Sequence, residues 1–115
     1  MLREINLHDV LFIDIETVPQ GSAYSDLDEK VKELWEKKSS YFRTDDQSAD
    51  DVYERAGIYA EFGKIICISV GILSGTKKTP GLRIKSFFGD DEKQLLNEFI
   101  QMLEKYRANR TVYLF

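Results

Sequence analysis

Asp14 and Glu16 are the residues of this chain whose type and spacing could do chemistry. They stand two apart at the end of the apolar run Val10-Leu11-Phe12-Ile13, and residues two apart in a strand project from the same face. Ile13 and Ile15 project from the other. A run apolar at successive positions belongs to a strand covered on both sides, so the acids are expected at the mouth of a core rather than on an open surface. Carboxylates in such a place are rare unless paired, hydrogen-bonded or bound to a metal. Oxygen donors at close range suit hard divalent cations, Mg²⁺ or Mn²⁺, and those ions in turn serve phosphate chemistry. The same triplet also fits a plainer role, in which an acid at a strand end caps a turn or is solvated at the rim.

The longer stretch Phe12-Ile13-Asp14-Ile15-Glu16-Thr17-Val18-Pro19 resembles the first motif of the DEDD 3′-to-5′ exonucleases, in the branch close to the proofreading domains of family B DNA polymerases. Phe62-Gly63-Lys64-Ile65-Ile66-Cys67-Ile68-Ser69-Val70-Gly71 is similar to the second strand of that family. Phe87-Phe88-Gly89-Asp90-Asp91-Glu92, with the helix after it, is similar to the third strand and first helix.

This resemblance implies a ribonuclease H-like fold and two-metal hydrolysis, with Mg²⁺ or Mn²⁺, of phosphodiester bonds at nucleic-acid 3′ ends, single-stranded or frayed DNA above all. By the resemblance, Asp14 matches the acid that bridges two ions. Glu16 matches the acid that ligates one ion and meets the terminal 3′ hydroxyl, and Thr17 contacts the end of the strand through its backbone N–H. The family's second motif, an Asn with a Phe-Asp a few residues on, and its third, Tyr-x-x-x-Asp, do not occur in these residues; Tyr53 to Gly57 offers glycine where the third needs Asp. The resemblance therefore implies the N-terminal part of an exonuclease domain, residues 1–115, incomplete and inactive by itself. A reading of another class stays beside it: a non-catalytic ribonuclease H-like module for nucleic-acid binding or assembly.

Composition limits the partners. The chain has 115 residues, enough for one small domain that buries about 65% of its unfolded surface. Lys and Arg number 16 against 20 Asp and Glu, a net charge of -4, with a pI near 5.0. That is not the balance of a general nucleic-acid binder, so phosphate contact should be local or mediated by a cation. No apolar run is long enough to span a membrane, and Met1-Leu2-Arg3-Glu4 opens without a signal peptide, which makes the cytoplasm the default expectation. Cys67 is the only cysteine and His8 the only histidine. Disulfides, zinc sites and cysteine–histidine catalysis are thereby excluded within the chain. Cys67 reads as a small buried hydrophobe and His8 as a surface residue.

The elements that must position the acids follow from pattern. A first strand is expected over about 9–16, with Pro19-Gln20-Gly21-Ser22 breaking the chain. Leu27, Val31, Leu34 and Trp35 recur at helical spacing behind Asp26, a candidate cap with Glu29 three residues on. Ser48 can cap a second helix whose stripe is Val52, Ala56, Tyr59 and Ala60, ended by Gly63. These two helices form an insertion over about 24–63. A β-branched central strand is expected over 65–73, and Gly75-Thr76-Lys77-Lys78-Thr79 reads as a solvated hairpin loop. A third strand over 82–88 keeps one wetter face. Asp90 or Asp91 then caps a helix carrying Leu95, Leu96, Phe99, Ile100, Leu103 and Tyr106, and a last strand begins near Thr111. Together they predict an α/β fold: a mixed sheet of three strands, a right-handed crossover helix and a fourth strand parallel to the first. A strand ending at Tyr113-Leu114-Phe115 would leave an apolar edge, so self-association through that end is expected.

Overall fold

The computed structural model describes residues 4–108 and 113–114. It is an α/β structure. Its strands are β1 (Val10–Pro19), β2 (Gly63–Gly75), β3 (Pro80–Phe88) and β4 (Tyr113–Leu114), and its α-helices are α1 (Glu29–Ser39) and α2 (Glu92–Arg107). The strands lie in the order β3-β2-β1-β4. β2 and β3 form an antiparallel ladder from Cys67↔Phe88 to Gly75↔Pro80. β1 and β4 pair in parallel at Val10↔Tyr113 and Leu11↔Leu114. The expected start of the last strand, Thr111, and the apolar end at Phe115 lie outside the described residues.

The chain divides into two compact units. One runs up to Glu16 and resumes at Ile66; the other is Thr17–Ile65. In the first, Val10, Leu11, Ile68, Val70 and Phe87 are buried, together with Leu95 of α2, whereas Leu82 and Ile84 are exposed. On β3 it is the face of Arg83 and Lys85 that carries the buried Phe87 against Phe99 of α2, the reverse of the wetter face expected. α2 starts where Asp91 accepts a hydrogen bond from the Gln94 N–H at 3.1 Å, one of the two cap positions expected. Glu92 in its first turn and Lys105 and Arg107 in its last complement the helix dipole. Of its expected stripe only Leu95 is fully buried; Ile100 is exposed and the others are half-buried. The loop at Thr76–Thr79 is exposed, and its turn is closed by the Thr76 N–H donating to the Thr79 carbonyl at 3.1 Å.

The second unit has its own core, built around Trp35, which is 0% exposed. Ala49, Val52, Tyr53, Ala56 and Phe62 surround it, with Tyr24, Leu27, Val31, Phe42 and Tyr59 packed outside. α1 is capped by Asp28, whose side chain accepts from the Val31 N–H at 2.9 Å, two residues later than the expected Asp26. Asp26 instead closes a single 3₁₀ turn, Tyr24–Asp26. Leu27 therefore precedes the helix, and Leu34 is exposed. The second expected α-helix is a correction: the segment is a 3₁₀ helix, Tyr53–Ile58. Gly57 within it lies so close to β1 that a Cβ there would come within 2.9 Å of the Val18 carbonyl carbon. Glycine is the poorest helix former after proline, and the tight approach leaves no room for a wider turn. Gly63 does not end that helix but opens β2.

Candidate functional site

β1 changes character along its length. Val10 and Leu11 are buried, Phe12 and Ile13 half-buried, Asp14, Ile15, Glu16 and Thr17 exposed, and Val18 and Pro19 half-buried again. The strand runs on to Pro19, so the acids stand in its middle and not at the end expected near residue 16. Strand alternation puts Asp14 and Glu16 on one face, as their spacing implies. Their setting, however, is open to solvent, which corrects the expectation of acids at the mouth of a core. The physical reason lies in the cover. Met102 and Tyr106 of α2 line a hollow together with Leu11, and the Tyr106 hydroxyl donates to the His8 carbonyl at 3.1 Å. The helix therefore covers the face of β1 that carries Leu11, and alternation puts Asp14 and Glu16 on the opposite face.

Asp14 lies at the edge of an open groove of about 710 Å³ on the other sheet face, with Phe12, Ser69, Gly71, Leu73, Leu82 and Ile84 among its lining residues. It is the charged side chain of that otherwise uncharged and mostly apolar lining. Register explains the grouping: Gly71 faces Ile84, Leu73 faces Leu82 and Ser69 faces Ser86 across β2 and β3. The Ser69 and Ser86 hydroxyls are 2.8 Å apart, and Cys67 Sγ lies 3.8 Å from Ser69 Oγ. Sequence reasoning missed this hydroxyl pair. Its partners are 17 residues apart, and only the hairpin register places them opposite one another. Cys67 itself is half-buried, not the fully buried hydrophobe expected; α2 packs on Phe87, which pairs with Ile68, so Cys67 stands on the face away from that helix. His8 is exposed, as expected.

Thr17 belongs to the Thr17–Ile65 unit. There its hydroxyl donates to the Gly57 carbonyl at 2.6 Å. That bond occupies the side chain and helps fix the glycine turn against Val18 and Pro19. Next to it, the Gln20 N–H donates to the Phe62 carbonyl at 2.9 Å, and the Tyr53 hydroxyl accepts from the Gly21 N–H at 3.0 Å.

Among the described residues, no three His, Cys, Asp or Glu side chains form a group that could hold a metal ion. Asp14 and Glu16 thus stand as a pair of oxygen donors, a set whose chemistry fits Mg²⁺ or Mn²⁺ with most of the coordination shell left to water or phosphate oxygens. Among the described residues, no helix is long and apolar enough to cross a membrane. No family model matches the chain, and neither a curated protein nor a solved structure matches it.

Proposed function

We propose that this chain carries the first pair of metal ligands, Asp14 and Glu16, of a metal-dependent 3′-to-5′ exonuclease domain of ribonuclease H-like fold. The observation that carries the reading is the position of the pair. Two carboxylates share one face in the exposed middle of β1, which lies between β2 and β4 in the sheet, and Asp14 borders a groove of a size that admits small ligands. The parallel pairing of β1 with β4 supports the fold, since that is the arrangement the family resemblance implies. The apolar groove lining beside an acid suits the bases and sugar of a single strand, with the phosphates drawn to cations held at the carboxylates.

Bound divalent ions in such a site supply an activated water and charge stabilisation of the leaving 3′ oxygen. The chain's own contribution is to present two carboxylates on one face of β1. Thr17 contributes through its backbone, its hydroxyl being engaged by Gly57. With two carboxylates and no matched water-orienting tyrosine, the 115 residues alone should not degrade DNA.

Mn²⁺ titration followed by NMR tests the pair directly. Paramagnetic broadening should centre on Asp14 and Glu16 and vanish in Asp14→Ala and Glu16→Ala. Both substitutions replace exposed side chains and should change stability by no more than ~0.5 kcal/mol. Broadening centred elsewhere refutes the metal-ligand assignment. A chain supplied with the two later motifs should shorten a labelled single strand from its 3′ end, and either substitution should abolish this. Mn²⁺ binding at the pair with single-strand binding but no shortening in that longer chain would favour the binding-module reading.

A further inference from the structure

β3 ends the sheet, because the strand order β3-β2-β1-β4 leaves it paired on one side only among the described residues. The register says which of its groups are unused. The Gly89 N–H donates to the Ile66 carbonyl at 3.1 Å beyond one end of the ladder, and the Thr76 N–H donates to the Thr79 carbonyl at 3.1 Å beyond the other. Hydrogen-bonded and non-bonded pairs alternate along an antiparallel ladder. Ile72↔Arg83, Val70↔Lys85 and Ile68↔Phe87 are therefore the bonded pairs. Leu82, Ile84, Ser86 and Phe88 direct their N–H and C=O groups outward, away from β2. Pro80, which has no N–H to offer, occupies the first position of this outward series, where a sheet tolerates it.

The two faces of this edge differ in chemistry. Phe87 is buried and meets Phe99 of α2 edge-to-face at 6.3 Å, so Arg83 and Lys85 share the helix side. Lys85 Nζ lies 4.9 Å from the Phe87 ring centre. With Lys105 of α2, these cations border a groove of about 400 Å³ whose lining includes Leu11, Val70 and Met102. The adjoining hollow brings in one acid, Glu98. On the opposite face Leu82, Ile84 and Phe88 are 58%, 67% and 77% exposed.

We propose that β3 is a docking edge for an extended acidic segment of a partner protein, added to the sheet as a further strand. Its backbone would take up the outward groups of Leu82, Ile84 and Ser86. Residues paired across a sheet share a face, so acids at alternate positions would meet Arg83 and Lys85 while the apolar residues between them cover Leu82 and Ile84. Charge selects this occupant over a second copy: two β3 strands side by side would set Arg83 and Lys85 against the same cations, and charges on an edge oppose self-pairing. The proposal does not rest on the role of Asp14 and Glu16.

The test titrates fluorescein-labelled peptides of alternating Glu and Val, or of alternating Lys and Val, with the 115-residue chain and reads fluorescence anisotropy. The Glu peptide should bind about tenfold or more tightly than the Lys peptide, as two partly exposed charge pairs would give, and added salt should narrow the gap. Arg83→Glu with Lys85→Glu should reverse the preference. Ile84→Pro removes one outward N–H without touching the inner ladder, so it should abolish binding with an unchanged circular dichroism spectrum. A Glu peptide N-methylated on every other residue should fail to bind the native chain, which keeps the strand-addition claim testable if the proline variant misfolds. Equal binding of the two peptides, or undiminished binding of the methylated one, overturns the proposal. So does concentration-dependent dimerisation that Ile84→Pro abolishes, which would give the edge to a second copy.

Discussion

Removing Trp35 should unfold the Thr17–Ile65 unit, and the size of the effect can be built from its surroundings. The side chain is 0% exposed. Its ring meets Phe62 at 5.2 Å, Phe42 and Tyr53 at 5.9 Å and Tyr59 at 6.0 Å between centroids. Its indole N–H donates to the Ala49 carbonyl at 2.8 Å. Truncating a buried Trp to Ala costs ~3–5 kcal/mol through lost transfer energy and the cavity left behind, a range that already contains most of the aromatic pair energies of ~0.5–1.5 kcal/mol each. The stranded Ala49 carbonyl adds ~1–3 kcal/mol. The sum, about 4–8 kcal/mol, is comparable with the whole stability of a typical domain, about 5–15 kcal/mol. Trp35→Phe keeps a ring in the cluster and loses the hydrogen bond and some volume, so it should cost ~1–3 kcal/mol. Urea titration followed by far-UV circular dichroism measures both variants. Trp35 is also the only tryptophan, so native emission should be blue-shifted and should move to the red on unfolding. A Trp35→Ala chain that loses less than ~2 kcal/mol, or native emission already red-shifted, would refute the description of this core.

Gly57→Ala should destabilise by ~1–3 kcal/mol, because the new Cβ would lie 2.9–3.1 Å from backbone atoms of Val18 and Pro19, which have no rotamer to yield; a urea midpoint equal to that of the native chain would contradict it. Asp51 accepts from the Ser48 N–H at 2.8 Å and its own N–H donates to Ser48 Oγ at 3.2 Å, and the Ser48 backbone bond, followed by the hydroxyl, holds its carboxyl below the usual carboxylate value. A lowered folded pKa contributes stability that is present above the unfolded value of about 3.9 and lost as pH falls through the folded value. The stability advantage of the native chain over Asp51→Asn should therefore hold at neutral pH and shrink below about pH 4, and a pH-independent difference in thermal midpoints would exclude the contribution.

What the sequence made legible was what local chemistry decides. β2 and β3 follow from a β-branched run, a glycine-and-threonine turn and an alternation of cations with aliphatics, and the structure extends each strand by about a turn residue or two. α2 was legible because Asp91 stands directly before a helical apolar period and the dipole favours its flanking charges. What failed was decided by contacts distant in sequence. The Val52, Ala56, Tyr59 and Ala60 stripe has helical spacing, yet the chain turns more tightly because Gly57 must approach Val18 and Pro19, 38 or more positions earlier. Val52, Tyr53 and Ala56 become the buried residues in place of the full stripe. The exposure of Asp14 to Thr17 in β1 has the same origin: no pattern within Val10 to Thr17 records which face of the strand its covering helix takes.

That exposure bears on the chemistry of the acidic pair. A carboxylate held in a dry core is costly to ionise and binds a cation strongly once it has one, whereas an exposed carboxylate keeps its water and gains little on exchanging it for a metal. Asp14 and Glu16 are of the second kind. Mg²⁺ surrenders its own water reluctantly and is ordinarily held by one or two carboxylates together with substrate phosphates. Under the exonuclease reading, the pair would then bind metal weakly by itself and firmly only with a nucleic-acid phosphate in the groove beside Asp14. Metal and substrate would each raise the affinity of the other by the same factor, as linkage requires.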